Sequence, residues 1–227
     1  MLAMGTLYLV RHGQASFGAA DYDQLSALGT RQCEALGQWF AARGIVFDAA
    51  LRGTLRRHEQ SLAAIASGFG AAGLPEALAR PGLNEYDSEA LIRTVHARPL
   101  AKPDSPEVYR AHFRLLRQAL ARWMAGETEP AGMPAWPDFV AGVAAALEYV
   151  RTAYEGDVLL VSSGGPIATA VHQVLGTSPE AMIELNMRIR NSALTEFAFT
   201  PRRHMLVSFN HLPHLDHPAR RDWESYA

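Results

Sequence analysis

Apolar residues follow two spacings along this chain, and the switches between them mark out the elements. Leu7-Tyr8-Leu9-Val10 is a run with no polar face, as expected of a strand covered on both sides. Ser16 to Asp23 reads as a loop. Leu25-Ser26-Ala27-Leu28-Gly29 then leads into a helix whose apolar positions Cys33, Leu36, Trp39 and Phe40 recur at helical spacing, and Gly44 stops it. Ile45 to Leu51 predicts a second strand and Leu55 to Ile65 a second helix. Such alternation requires a largely parallel sheet, because parallel strands need crossover connections and these place helices on both faces. The expected fold class is therefore α/β, a three-layer sandwich.

From Gly82 to about Pro137 the rhythm is interrupted by a loop and one strong helix, with Val108, His112 or Phe113, Leu116, Leu120 and Trp123 three to four apart. This predicts a helical cap insertion, over approximately 87–137, in a single domain of residues 1–227. Pro130, Pro134 and Pro137 mark its exit. Phe139 to Val150 resumes a helix, Gly156-Asp157 turns the chain into a strand at Val158-Leu159-Leu160-Val161, and another helix follows Pro166. Leu194 to Phe199 and Met205 to Phe209 read as two late strands joined near Pro201-Arg202-Arg203. There are no internal repeats.

Composition narrows the classes. With 227 residues, 48% hydrophobic and 19% charged, the chain can bury a sizeable core, and disordered and fibrous classes are excluded. A net charge of -2 gives no global attraction to nucleic acid or anionic lipid, so anion binding must be local. Cys33 is the single cysteine, which rules out an intrachain disulfide framework and fits the cytoplasm. The first residues lack a basic n-region, and their apolar stretch is broken by Gly5 and ends at Arg11, so neither a signal peptide nor a membrane span is expected.

The first apolar run ends directly in Arg11-His12-Gly13-Gln14. The C-terminal edge of such a strand is where open α/β folds place ligands, which puts His12 at the mouth of a site. Arg11 favours an anion there and disfavours the protonated imidazole, keeping a nitrogen lone pair available for attack. Phosphate is the natural anion.

Three further segments complete, in order, a resemblance to the histidine phosphatase superfamily, the group that includes the cofactor-dependent phosphoglycerate mutases. Leu55-Arg56-Arg57-His58-Glu59-Gln60-Ser61 resembles its Ser-Pro-Leu-x-Arg-Ala-x-Gln-Thr, with Arg57 at the arginine position and Gly53-Thr54 departing from Ser-Pro. A helix start there offers backbone N–H groups to an anion, and Arg57 can fork two hydrogen bonds onto phosphate oxygens. Gly82-Leu83-Asn84-Glu85-Tyr86-Asp87 is similar to the segment that carries the family's acid; Glu85 is the candidate, with Asp87 and Glu89 as competitors. Leu160-Val161-Ser162-Ser163-Gly164-Gly165-Pro166-Ile167 resembles the strand followed by His-Gly-Gly, with Ser163 where the second histidine is expected and Pro166 suited to the first helical position. The Ser163 hydroxyl and the Gly164 backbone N–H would still line an anion pocket. Asn191 to Phe197 and Ser208 to Leu215 resemble the closing strands and the Asn-x-x-x-His-Leu ending.

The resemblance implies a phosphatase acting on small-molecule or protein phosphoesters, with no metal or organic cofactor. Arg11 and Arg57 would hold the phosphoryl group, His12 would attack, and Glu85 would protonate the leaving oxygen before activating water. Losing a charge-stabilising donor at 163 is expected to cost roughly 100- to 1,000-fold in rate. A phosphate- or phosphoprotein-binding module with weakened catalysis is therefore one alternative. A mutase is the other, although the Trp-Asn and Gly-Trp of the mutase-type stretch are absent and Ser16-Phe17-Gly18 and Tyr22-Asp23 stand there instead. A serine hydrolase fails on its motif, since Gly-x-Ser-x-Gly would need a glycine at Val161. His211, His214 and His217 recur every three residues without an acidic or cysteine partner at metal-site spacing and suggest a tail over the site rather than metal ligands. Arg93, His96, Arg98 and Lys102, in the expected cap, hint at a polar or anionic substrate.

Overall fold

The computed structural model describes residues 4–16, 23–71, 73–98 and 105–226. Their elements, in chain order, are β1 (Gly5–Arg11), α1 (Ala27–Ala42), β2 (Phe47–Arg52), α2 (Arg56–Phe69), β3 (Ala77–Ala79), α3 (Ser88–Arg93), α4 (Pro106–Met124), α5 (Trp136–Ala153), β4 (Asp157–Ser162), α6 (Gly164–Leu175), α7 (Pro179–Asn186), β5 (Leu194–Thr200) and β6 (Arg203–His211). The expected loop at Phe17 to Tyr22 and the candidate Lys102 lie outside the described residues.

The strands form one sheet in the order β3-β2-β4-β1-β5-β6. β3, β2, β4 and β1 run parallel, each linked through helices, whereas β5 pairs antiparallel with both β1 and β6. The β5–β6 pairing follows from the connection: Pro201-Arg202 is a tight turn, and a hairpin cannot join parallel strands. The fold is α/β, with a mixed, mostly parallel sheet.

Because successive side chains on a strand point to opposite faces, β1 feeds two cores at once. Leu7 and Leu9 join Trp123, Phe139, Val143, Ile167 and Met182 beneath α4 to α7, while Val10 joins Cys33, Leu36, Phe40 and Ile65 beneath α1 and α2. This places β1 in the middle of a three-layer structure, with no polar atoms of its side chains to satisfy between positions 7 and 10 except the Tyr8 hydroxyl.

Several boundaries differ from the sequence expectation for identifiable reasons. Ile45 is drawn back by its N–H to the Phe40 carbonyl as Gly44, at φ +64, ends α1, so β2 begins at Phe47. Helix α6 starts at Gly164, which makes Pro166 its third residue; the first turn has no intrahelical acceptors for its N–H groups, so proline is tolerated there too. The 88–124 region carries two helices, α3 and α4, where the pattern predicts one. Among the described residues no helix is long and apolar enough to cross a membrane.

The C-terminal ends of β1, β2 and β4 lie side by side, with Arg11 opposite Ser162 and Arg52 opposite Val161. The segments that follow, starting at His12, Gly53 and Ser163, therefore emerge at one edge of the sheet.

Candidate active site

His12 follows β1 and is almost fully buried, its backbone N–H bonded to the Ser162 carbonyl at 2.9 Å and its own carbonyl accepting from Ser192. The Nδ1 atom lies 2.7 Å from the Gly13 carbonyl oxygen, which can only accept, so Nδ1 carries the proton and Nε2 the lone pair. Burial, reinforced by the charges of Arg11 and Arg57, holds this imidazole well below its ordinary pKa. It is neutral, oriented and nucleophilic at Nε2. The turn is fixed from below: Gly13 N–H donates to Ser61 Oγ at 3.0 Å, and Gln14 N–H to Gln32 Oε1 at 2.9 Å. Gly13 and Gly29 allow this packing, because a Cβ on Gly13 would stand 2.4 Å from the Gly29 carbonyl oxygen. Cys33 is buried beneath, and burial pushes its thiol up to about 11, which makes it a packing residue rather than a nucleophile.

Arg11 is buried, with one guanidinium nitrogen donating to the Ile189 carbonyl. Arg57, on the first turn of α2, is equally buried and pairs with Asp23 at 2.9 Å. Asp23 corrects one expectation. Its carboxylate accepts from the backbone N–H groups of Arg56 at 2.8 Å and Arg57 at 3.4 Å, so the start of α2 is already capped and does not present those groups to a ligand. Leu55, at the cap position, has no side-chain acceptor of its own, which explains why the cap comes from elsewhere.

Sequence reasoning passed over His58. Its ring is fully buried, its centroid is 5.9 Å from that of His12, and its Nε2 is 2.7 Å from Ser163 Oγ. Burial, with Arg57 and Arg52 nearby, lowers it to about 3, so it too is neutral. Ser163 occupies the cap position of α6, yet its hydroxyl caps no backbone N–H of that helix. It turns to His58 instead. The signal available in the sequence was a histidine gained at 58 together with one missing at 163.

Glu85 takes the place that the Ser163 side chain leaves. The Gly165 N–H donates to its two oxygens at 3.1 and 3.2 Å, and the Tyr86 N–H to Oε1 at 3.3 Å. Gly165 is required by this contact, since a Cβ there would lie 2.2 Å from Glu85 Oε1 and 2.6 Å from the Tyr86 ring. Burial raises the carboxyl pKa, although Arg57, the Gly165 N–H and Arg11 all pull it down. Both neighbours of Glu85 are anchored: Asn84 exchanges hydrogen bonds with Thr54 at 2.7 and 2.6 Å, and the Tyr86 hydroxyl accepts from Asn186 at 2.5 Å. Its competitors are engaged elsewhere. Asp87 caps α3 by accepting from the Glu89 and Ala90 N–H groups, and exposed Glu89 pairs with Arg93 at 3.6 Å.

The structure thus brings together His12, Arg11, Arg57, Glu85, Ser163 and Gly164, and adds His58. Arg93 is exposed and shared between Asp87 and Glu89, and Arg98 is exposed as well. The three late histidines diverge: His214 is buried against Ser192 Oγ at 2.9 Å, His217 caps the turn at Ala219, and His211 ends β6 exposed. They form no cluster, and among the described residues no group of three or more His, Cys, Asp and Glu side chains could hold a metal ion.

Comparison with known proteins gives this geometry a lineage. Residues 7–212 match the sequence model of the histidine phosphatase superfamily (branch 1). Over 87 residues the chain is 33% identical to a 2,3-bisphosphoglycerate-dependent phosphoglycerate mutase from Methylorubrum populi, a match that spans 36% of this chain and 41% of that protein. The fold is similar to a phosphoglycerate mutase from Bacillus anthracis str. Sterne, with TM-score 0.66, 17% identity and coverage of 94% and 96% of the two chains. It is similar to a phosphoserine phosphatase from Entamoeba histolytica, with TM-score 0.62, 20% identity and coverage of 93% and 99%. An alpha-ribazole phosphatase from Shigella flexneri gives TM-score 0.62, 17% identity and coverage of 91% and 96%.

Proposed function

Because this chain belongs to the histidine phosphatase superfamily, branch 1, we propose that it hydrolyses phosphomonoesters through a phosphohistidine formed on His12. The observation that carries the reading is the pairing of a neutral imidazole, its Nε2 lone pair left open by the Nδ1 bond to Gly13, with a half-buried carboxyl group whose pKa is raised. The imidazole is in the neutral form that attack needs, and the raised pKa of the carboxyl moves it toward the protonated form that donates.

In that step His12 Nε2 attacks phosphorus in line, the ester P–O bond breaks, and the Glu85 proton passes to the departing oxygen. Arg11 and Arg57 take the charge of the phosphoryl oxygens, with Arg57 exchanging its Asp23 contact for the substrate. The Glu85 carboxylate then accepts a proton from the water that attacks the phosphohistidine, which regenerates both groups. Positioning and charge stabilisation carry phosphoryl transfer, so these residues suffice without a metal or organic cofactor. The segment 87–137 acts in this reading as a cap that shapes the substrate side of a single domain.

The partial identity to a phosphoglycerate mutase favours one second reading, transfer of the phosphoryl group to a second hydroxyl rather than to water. Interconversion of phosphoglycerates stimulated by a bisphosphorylated primer would establish it. The primary test is a labelled phosphoester: acid-labile label is expected on His12, and wild type is expected to hydrolyse an activated aryl phosphate far faster than His12→Ala. Equal rates overturn the proposal.

A further inference from the structure

Among the positions that depart from the family motifs, three meet at one ring. The second motif opens on Ser where this chain has Gly53 and carries Ala where it has His58; the fourth carries His where it has Ser163. A Cβ on Gly53 would fall 2.2 Å from His58 Nδ1 and 2.7 Å from its Cε1, so a side chain at 53 and this ring exclude one another. On its other side the ring stands 2.7 Å from Ser163 Oγ, within the space that a larger residue at 163 would need.

We propose that the three departures are a single exchange: the imidazole missing at position 163 is supplied from α2 by His58, a positioning residue that acts on the phosphoryl group through the Ser163 hydroxyl. The inference rests on the phosphatase reading and deepens it. The direction of the relay follows from proton bookkeeping. His58 Nδ1 is buried with no hydrogen-bond partner among the described residues. A bare lone pair is easier to leave there than a stranded N–H, so the ring proton sits on Nε2 and is donated to Ser163 Oγ. The Ser163 hydrogen is then released to point at a phosphoryl oxygen instead of at the ring, and no backbone N–H of α6 competes for that oxygen. The device works without charge, since His58 is neutral across the working range. Its contribution is orientation of one donor in a dry site beside His12.

Wild type, His58→Ala, Ser163→His and the double variant His58→Ala/Ser163→His test this, with thermal melts to check folding. His58→Ala is expected to lower turnover of an aryl phosphate at least about tenfold, below the full cost of losing an oriented donor. Ser163→His alone should lose activity, because two rings contend for one space, and the double variant should return to within about tenfold of wild type. Calorimetry reads the inference without turnover. Orthovanadate resembles the five-coordinate transition state, so His58→Ala should weaken its binding at least about tenfold more than it weakens inorganic phosphate. Should the double variant not fold, Ser163→Ala should match His58→Ala, and combining them should cost no more than either alone. Undiminished turnover and vanadate preference in His58→Ala, a double variant no better than His58→Ala, or additive losses in the alanine pair would each overturn the relay. A wild type no faster than His12→Ala overturns the phosphatase reading itself, and the vanadate preference then decides the role of His58 alone.

Discussion

Glu85 shows how desolvation opposes nearby cations at one carboxyl group. Two arginines and two backbone N–H groups favour its anion, yet desolvation of the half-buried carboxyl outweighs them and raises its pKa. The consequence is a pH profile with an unusual centre. On the phosphatase reading His12 must be neutral, and its lowered pKa satisfies this well below the ordinary imidazole range; Glu85 must be protonated, which fails as pH rises through its raised value. Turnover should therefore fall as pH rises through the Glu85 pKa. Glu85→Gln should flatten that alkaline fall and lower the rate by roughly 100-fold or more on an alkyl phosphate, whose leaving oxygen needs the proton. The loss should be much smaller on a nitrophenyl phosphate, whose leaving group does not. Equal losses on both substrates, from kcat/KM measured against pH, would remove Glu85 as the acid.

The loop after β1 is held by elements distant in sequence. Gln32, buried on α1, accepts from the Gln14 N–H and donates to the Trp223 carbonyl at 2.5 Å and to Ser225 Oγ at 2.9 Å. The tail is bound in turn by Asn191 N–H to the Ser225 carbonyl at 2.9 Å and by Arg190 to Glu224 at 3.3 Å, beside the segment whose Ser192 holds the His12 carbonyl. Gln32→Ala strands the Gln14 N–H and should cost about 2–3 kcal/mol of unfolding free energy in urea titration; an unchanged midpoint would mean that the loop stands without this brace. The apolar runs made β1, β2, β4, α1 and α2 legible, because each buries a face long enough for its period to show. The three-residue β3, the six-residue α3 and the eight-residue α7 are too short for that. The site residues His12, Arg57 and Glu85 were legible through motif order. His58 was not, because its role depends on a contact with Ser163 across 105 residues, and Asp23 was not, because a loop carboxylate capping another element leaves no local pattern.

At the scale of the whole molecule, the buried imidazoles that serve the site tie its stability to pH. His12, His58 and His214 are folded away as neutral rings, the last two lowered to about 3, whereas in the unfolded chain each titrates near 6.5. A depressed folded pKa gives stability that is present above the unfolded value and is lost as pH falls below it. Glu85 works the other way: its raised pKa favours a proton in the folded state that the unfolded chain releases above about 4.5, so it partly offsets the rings. Below about pH 6.5 the unfolded state therefore binds more protons at these rings than the folded state, and stability should fall as pH falls. On the phosphatase reading, the acid edge of the activity profile should coincide with the loss of structure. Urea midpoints measured from pH 5 to 7.5 should rise steeply with pH, and His214→Asn should make that rise shallower by about one proton. A flat midpoint, or an activity edge lying well above the unfolding edge, would show that these rings are not held neutral.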